Sequence, residues 1–372
     1  MPLKEEIKEI AEKIAQQVVE NRRYLHKCPE LSFQEYNTAA FVKAQLEAMQ
    51  INWQQMAGTG IVAVISGDKP SDELIALRAD MDALPISERN NIDYASQTEG
   101  VMHACGHDAH TASLLGTAFI LQSLKSKFGG TIKLIFQPGE EKMPGGASLM
   151  IKEGVLENQH PTAIIGQHVM PSIEAGKIGI RPGKFMASMD ELFVTVKGKG
   201  GHGAQPHQNI DPVIIASHII IGLQQIVSRF ADPGSPTVLS FGKLIANGAI
   251  NVIPDEVYME GTFRAMDEEW RTKAHEQMIK MATGIAEGMG GSCEFNIVKG
   301  YPFLVNQEKL TNDVKNYATE YLGEDKIIDL DIWMAAEDFA YYSQQLSSCF
   351  YMLGIGNNNK GITASLHTST FN

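Results

Sequence analysis

The chain has 372 residues and carries 31 Lys and Arg against 44 Asp and Glu, a formal net charge of −13. That balance speaks against a nucleic-acid or anionic-membrane partner. The length favours two domains over one, and 44% apolar residues suffice for a large buried core.

Cys28, Cys105, Cys293 and Cys349 are scattered and form no Cys-x-x-Cys pair. They suggest neither a disulfide framework nor a zinc finger, and cytoplasm is the default compartment. The N-terminus is charged from Lys4 onward and lacks the apolar core of a signal peptide. No apolar run is read as long enough to span a bilayer.

In chain order, residues 3 to about 26 are predicted to form an amphipathic helix lined by Ile7, Ile10, Ile14, Val18 and Val19, stopped before Pro29. A second helix is expected over about 35–49. Runs at 60–66 and 73–78 read as buried strands, the second leading into Asp80-Met81-Asp82. Asp80 reads equally as a site carboxylate or a turn cap. The stretch Val101–His110 then gathers His103, Cys105, His107, Asp108 and His110. The helix after it is expected to be amphipathic, with Leu114, Leu115, Ala118, Leu121 and Leu124 on its apolar side. Cys105 and His107 fall just before its N-terminus, where the helix dipole and any cation favour thiolate. A strand at 131–136 leads into Glu140-Glu141. A helix follows at about 145–153, then a strand at 163–166 that leads into His168. This alternation predicts an α/β domain with a mainly parallel sheet, whose ligands gather beyond the carboxyl ends of the strands.

From about 184 to 297 the texture changes. Strand (190–197), helix (211–229), strands (236–244 and 250–263), helix (267–288) and strand (292–298) give a ferredoxin-like β-α-β-β-α-β order. The expected division is a catalytic domain of residues 1–183 and 298–372 with a domain of 184–297 inserted in it. After about 300 the α/β pattern resumes, with a helix near 307–322, another opening at Ala335–Phe339, a strand at 349–354 and a closing Leu366-His367-Thr368-Ser369.

Candidate metal ligands are Cys105, His107, Glu140 or Glu141, His168 and His367. Thiolate, imidazole and carboxylate together suit Zn²⁺, or Mn²⁺, Co²⁺ or Ni²⁺. Five groups exceed one open tetrahedral site, and two ions sharing a bridge fit better. Adjacent glutamates point in different directions, so one can bind metal while its neighbour acts as a base.

His103-Ala-Cys-Gly-His-Asp108, Gln137-Pro-Gly-Glu-Glu141, Gly166-Gln-His168, Gly198-Lys-Gly-Gly-His-Gly203, Asn251-Val-Ile-Pro254 and Leu366-His-Thr368 occur in that order. Together with Arg22-Arg-Tyr-Leu-His26 and Pro29-Glu-Leu-Ser-Phe33, they resemble the M20 metallopeptidase family. The branch most similar is that of the amidohydrolases, which includes hippurate hydrolases, N-acyl-amino-acid deacylases, N-acetyldiaminopimelate deacetylases and plant auxin-conjugate hydrolases.

The resemblance implies that Cys105 bridges two divalent ions, where other M20 branches use Asp. It gives His107 and His168 to one ion and Glu141 and His367 to the other. Glu140 would be the general base, and Asp82 would orient the site from behind the ligands. His202 would stabilise the oxyanion, in the family sometimes across subunits. Asn251 and Arg264 would grip the substrate carboxylate. The implied reaction is hydrolysis of N-acyl-L-amino acids by a metal-activated water. The inserted domain would serve as lid and dimerisation domain, giving a homodimer or larger homo-oligomer. After Thr368 the sequence departs from the family pattern: Ser369 stands for Pro and the further helix does not follow, which bears on the packing around His367.

Three rival readings remain. A dipeptidase or aminopeptidase would need an acidic residue for a free amino group, such as Glu337 or Asp338. A thiol hydrolase would use Cys105 as nucleophile. A non-catalytic family member would bind metal or ligand only.

Overall fold

Continuous apolar runs make the centre of a sheet here. Gly60–Ser66 and the second half of Gly129–Gln137 are buried almost without interruption, as strands covered on both faces are. The computed structural model describes residues 2–157 and 160–372. Its chain divides into unit 1 (Met1–Phe185, Val305–Ile332 and Asp338–Asn372) and unit 2 (Met186–Leu304 and Trp333–Glu337). The chain thus enters unit 2 twice.

Unit 1 opens with α1 (Leu3–Lys27), α2 (Tyr36–Ala48), β1 (Trp53–Met56), β2 (Gly60–Ser66) and β3 (Lys69–Asp80). It continues with α3 (His107–Ser123), β4 (Gly129–Gln137), α4 (Gly146–Lys152), β5 (Ala163–Glu174) and β6 (Ile178–Ile180). After β7 (Gly183–Met186) come the elements of unit 2: β8 (Asp190–Lys197), β9 (Gly201–His202), α5 (Pro212–Gln225), β10 (Thr237–Ile245), β11 (Val252–Ile253), β12 (Glu256–Ala265), α6 (Glu268–Gly288) and β13 (Ser292–Lys299). β14 (Leu304–Asn306) leads back to α7 (Glu308–Leu322), β15 (Ile327–Asp329), α8 (Ala340–Ser343) and β16 (Ser347–Gly356).

The sheet of unit 1 has eight strands in the order β1-β2-β4-β3-β5-β16-β6-β15. Strands β4, β3, β5 and β16 run parallel, whereas β1–β2, β2–β4 and β16–β6 are antiparallel. The sheet is therefore mixed: four neighbouring pairs are parallel, β6–β15 being the fourth, and three are antiparallel. Strand direction is set by the connection: β2 is laid beside β4 only after β3 and α3 intervene. Strand β3 pairs with β5 as far as Arg78 and Gly166, while β5 runs on to Glu174. The crevice beyond that last pair receives the site.

Helix α3 is not amphipathic as its leucine spacing predicts. His107, Asp108, His110, Thr111, Ala112, Leu114, Leu115, Gly116 and Ala118 are all buried. α1 lies across it, close enough that a Cβ on Gly116 would stand 2.8 Å from Val18 Cγ2. The helix expected to open at Ala335–Phe339 is only the single turn Ala340–Ser343, and the Asp338 side chain goes to other partners.

In unit 2, β8 alternates buried and half-buried residues, as a sheet covered on one face requires. Its strands form an antiparallel sheet in the order β10-β12-β8-β13. Leu192, Val194 and Val196 pack with Ile215, Ile219 and Leu223 of α5 and with Ala274, Met278 and Ala282 of α6. One helical stretch, Pro212–Phe230, is after all long and apolar enough to cross a membrane by length and composition. Here one side of it forms this core, while Ile214 and Ile221 are exposed.

At the centre of unit 2, Arg271 is fully buried. It donates to both oxygens of Asp190 and to the carbonyls of Met189 (2.9 Å) and Gly300 (3.1 Å). Burial alone would raise the Asp190 pKa, but His275 and Arg271 outweigh it and hold it low. Its contribution to stability is therefore present above the ordinary carboxylate pKa and lost as pH falls through the folded value. Asp190→Asn is expected to cost up to about 3–5 kcal/mol at pH 7, because it leaves the buried guanidinium only the partly exposed carboxylate of Glu268, 3.0 Å from Nη1. It should also flatten the acid limb of stability. Urea denaturation at a series of pH values checks both.

Candidate metal centre

Local backbone geometry places each candidate side chain. Asp80 ends β3, and Asp82, two residues on, is likewise buried. Gly106 has φ +85°, and a Cβ there would lie 2.3 Å from Val169 Cγ2. Only glycine lets the chain turn between Cys105 and His107 so close to β5. Gly139 (φ +59°) precedes Glu140 and Glu141 under the Phe33 ring, where a Cβ would lie 2.3 Å from Cε1. Glu35 Oε1 accepts the Gly139 N–H at 2.8 Å and fixes that turn. Burial, then the nearby Asp82, pushes the Glu35 carboxyl upward. His168 lies within β5, not after it.

His367 has φ +59°, a left-handed conformation that costs a non-glycine residue about 1–3 kcal/mol. Its N–H bonds to Ala104 O at 2.8 Å. Phe371 is buried with Met102, Ala104 and Val169. Asn372 Oδ1 accepts from Arg22 and Tyr94, both at 3.1 Å. The residues after Thr368 therefore brace His367 through Phe371 and Asn372 where the resemblance implied a helix.

Two ligand groups result, with Cys105 in both. Cys105, His107 and His168 each present a donor atom within 4.8 Å of the others, and so do Cys105, Glu141 and His367. Cys105 Sγ is 3.3 Å from His168 Nε2 and 3.2 Å from His367 Nε2, which is itself 3.2 Å from Glu141 Oε1. Glu140 groups within the same limit with His107 and Glu141, one member of each set. It is 6% exposed, and its Oε1 accepts the Asp338 N–H at 3.4 Å. Asp82 Oδ1 lies 3.2 Å from His107 Nδ1, and its Oδ2 accepts from Ser32 Oγ (2.6 Å) and Glu141 N–H (3.0 Å).

The residues fit a metal. His107 Nε2 is buried and makes no hydrogen bond among the described residues, although its ring is held by Asp82 from the other nitrogen. Burial would lower the His107 pKa, but Asp80, Asp82 and Glu141 outweigh it and hold it up at about 10. Burial and the neighbouring His110 push His168 down to about 3. Burial, then Glu141, Glu140 and Asp80, drives the Cys105 thiol well above its usual range. The helix dipole therefore does not by itself yield the thiolate expected from sequence. The surplus of carboxylates calls for a cation, which supplies what the dipole does not.

Other residues of the motif-rich stretch go elsewhere. Asp108 pairs with Arg22 Nε (2.8 Å) and His26 Nδ1 (2.7 Å), tying α1 to the start of α3. Among the described residues His103, which is buried, has no hydrogen-bond partner and belongs to neither ligand group. Asp80, His110 and Asp338 were noticed in the sequence without the tasks they have here, and Arg78 was given none. Asp80 Oδ1 lies 2.6 Å from His110 Nδ1, and its Oδ2 accepts from Arg78 Nη1 at 2.6 Å. Asp338 accepts from Arg78 Nη2 (2.7 Å), Gln137 Nε2 (2.8 Å) and Ala147 N–H (2.9 Å), so it is not available to a substrate amino group. The signals were the two-residue spacing of Asp80 and Asp82 and the three-residue spacing of His107 and His110.

His202, Asn251 and Arg264 lie in unit 2. His202 and Asn251 adjoin, since His202 pairs with Val252 and the Gly203 N–H bonds to Asn251 O at 2.8 Å. Arg264 stands apart on β12.

Peptidase family M20/M25/M40 matches residues 76–372. This chain is a member of that family. The M20 chain is 44% identical over 307 residues to the N-acyl-L-amino acid amidohydrolase of Geobacillus stearothermophilus, covering 82% of each sequence. It is 40% identical over 342 residues to the N-acetyl-L-cysteine deacetylase of Bacillus subtilis, covering 92% of this chain and 81% of that one. Among solved structures it superposes with a TM-score of 0.83 on a dinuclear metal-binding peptidase of the M20 family from Bacillus subtilis. That pair is 36% identical, covering 97% and 93% of the two chains. The M20 chain is an enzyme of the amidohydrolase and metallopeptidase kind, with residue groups suited to two metal ions.

Proposed function

We propose that this chain hydrolyses the amide bond of N-acyl-L-amino acids, releasing a carboxylic acid and a free amino acid. Cys105, His107 and His168 would hold one divalent ion, and Cys105, Glu141 and His367 the other. The observation that carries this reading is the pair of ligand groups sharing one thiol, with the buried Glu140 next to a member of each. When bound, the ions supply Lewis-acid activation of a carbonyl and of water.

Glu140 takes the proton of the attacking water and returns it to the amide nitrogen as the C–N bond breaks. Asp82 holds His107 by Nδ1 and so presents Nε2 to the site. His202 accepts the Ala204 N–H on Nδ1 at 3.0 Å, so its own proton sits on the exposed Nε2, as an oxyanion donor requires. Arg264 is half-buried, bonds through Nε to Thr262 Oγ1 (3.2 Å), and makes no close ion pair among the described residues, although the Asp190 charge reaches it. Its remaining donors suit a substrate carboxylate, and Asn251, which adjoins His202, is given the same task. The same reading makes residues 184–297 a lid and dimerisation domain. Exposed Ile214 and Ile221 on α5, with the edge strand β10, support a second copy docking there. The names of the amidohydrolase and deacetylase relatives support the substrate class.

The test is a panel of acetyl-, benzoyl- and succinyl-amino acids, N-acetyldiaminopimelate and two dipeptides, each with Mn²⁺, with Zn²⁺ and with chelator. Metal-dependent turnover of the acyl amino acids is expected. Turnover of the dipeptides alone would favour the peptidase reading. No turnover with two ions bound would favour a binding protein.

A further inference from the structure

His110 was passed over as a ligand, and the structure gives it other work. It groups with Asp80 and His107 within 4.8 Å, which by itself resembles a third metal triad. Both of its nitrogens, however, are committed. Nδ1 lies 2.6 Å from Asp80 Oδ1, and Nε2 accepts the Val169 N–H at 2.9 Å. A backbone N–H can only donate, so Nε2 carries the lone pair and Nδ1 carries the proton that goes to Asp80. A metal here would have to break both bonds.

The chain of contacts continues to the site. Val169 follows His168, and the Val169 carbonyl lies 2.7 Å from His168 Nδ1. A carbonyl only accepts, so His168 carries its proton on Nδ1 and turns Nε2 toward Cys105 Sγ, 3.3 Å away. Strand β3 does not supply this stretch of β5 with a partner, because their pairing stops at Arg78 and Gly166. The Val169 N–H lies three residues beyond that point, and the His110 imidazole takes the place of the missing strand. The ring also stacks on His107 at 5.4 Å and meets His168 edge-on at 4.9 Å. Thr111 Oγ1 bonds to Asp80 O at 2.7 Å and keeps the far end of the chain in register.

We infer that His110 is a positioning residue. Through Asp80 on one side and the Val169 backbone on the other, it fixes the direction and tautomer of His168 and thereby sets the affinity of the ion held by Cys105, His107 and His168. The ion at Cys105, Glu141 and His367 shares only Cys105 with this chain of contacts, so its affinity should change little. The inference rests on the two-ion reading above.

The experiment is a zinc titration, by chelator competition, of the metal-stripped full-length protein in five forms: wild type, His110→Asn, His110→Gln, His168→Ala and His367→Ala. Asn can still donate to Asp80 from the Nδ1 position but cannot reach Val169. Gln can still accept the Val169 N–H from the Nε2 position. His110→Asn is expected to weaken one ion by about 10–100-fold, the usual cost of losing an outer partner. The weakened ion should be the one lost in His168→Ala, with the ion affected by His367→Ala unchanged. His110→Gln should recover most of the loss. A merely structural role would weaken both ions alike, or make Asn and Gln equivalent, and either result overturns the inference. So does wild-type affinity for both ions in His110→Asn. If the wild type itself binds fewer than two ions, the two-ion reading fails and takes this inference with it.

Discussion

Glu140→Gln is expected to lower kcat on an N-acyl amino acid by about 10²–10⁴-fold, the range typical of a positioned acid or base, while both ions stay bound. The substitution is nearly isosteric, and a glutamine oxygen can still accept the Asp338 N–H that Glu140 Oε1 accepts at 3.4 Å. The loop should therefore keep its shape, and what is lost is the capacity to take up a proton. Glu141→Gln makes the useful contrast. Glu141 Oε1 is 3.2 Å from His367 Nε2 and belongs to the second ligand group, so its substitution should lower metal content as well as activity. Measuring kcat beside bound metal by elemental analysis separates the two. Loss of an ion in Glu140→Gln would make Glu140 a ligand. Unchanged turnover would place the base elsewhere.

The expectation that the two adjacent glutamates divide the work came from sequence, because neighbouring side chains leave an extended segment in different directions; Glu141, and not Glu140, groups with Cys105 and His367. The strands that lead to the ligands were readable too, since each follows from a local run of β-branched and apolar residues, as in β2 and β4. Relations between distant segments were not readable. Nothing local to Asp80 says that Arg78 will also hold Asp338, 260 positions away, so Asp80 could not be told from a turn cap. The leucine spacing of α3 predicted one dry face, but a helix covered by another helix is buried on the opposite face as well, and that depends on where α1 returns. The direction of β2 in the sheet was hidden for the same reason. The Cys105 thiol is the sharpest case. Its place before a helix, with any cation there, suggested thiolate; burial and three carboxylates brought from elsewhere in the chain raise its pKa, so a cation and not the dipole has to supply the charge.

The same convergence makes Cys105 the position where one substitution should do the most damage. Of the two groups proposed to hold the ions, Cys105 belongs to both, and His107, His168, Glu141 and His367 to one each. His367→Ala should weaken one ion; Cys105→Ala removes a ligand from each group, so both affinities should fall by more than the about 10–100-fold cost of losing an outer partner. Activity should fall with them, below that of Glu140→Gln. Serine should not rescue, because its hydroxyl stays protonated at neutral pH and bridges cations poorly. Cys105→Asp should rescue in part, because a carboxylate offers two oxygens and a charge that can be shared between ions. Zinc titration of the three variants, with turnover measured on the same samples, checks the order Asp above Ser and Ala. The aspartate variant also decides between chemistries. A hydrolase that uses the thiol as nucleophile forms its acyl intermediate on sulfur and would be dead with Asp in place of Cys. Metal-dependent turnover by Cys105→Asp would leave the thiol no role beyond holding the ions, and complete inactivity with both ions bound would return Cys105 to consideration as the attacking group.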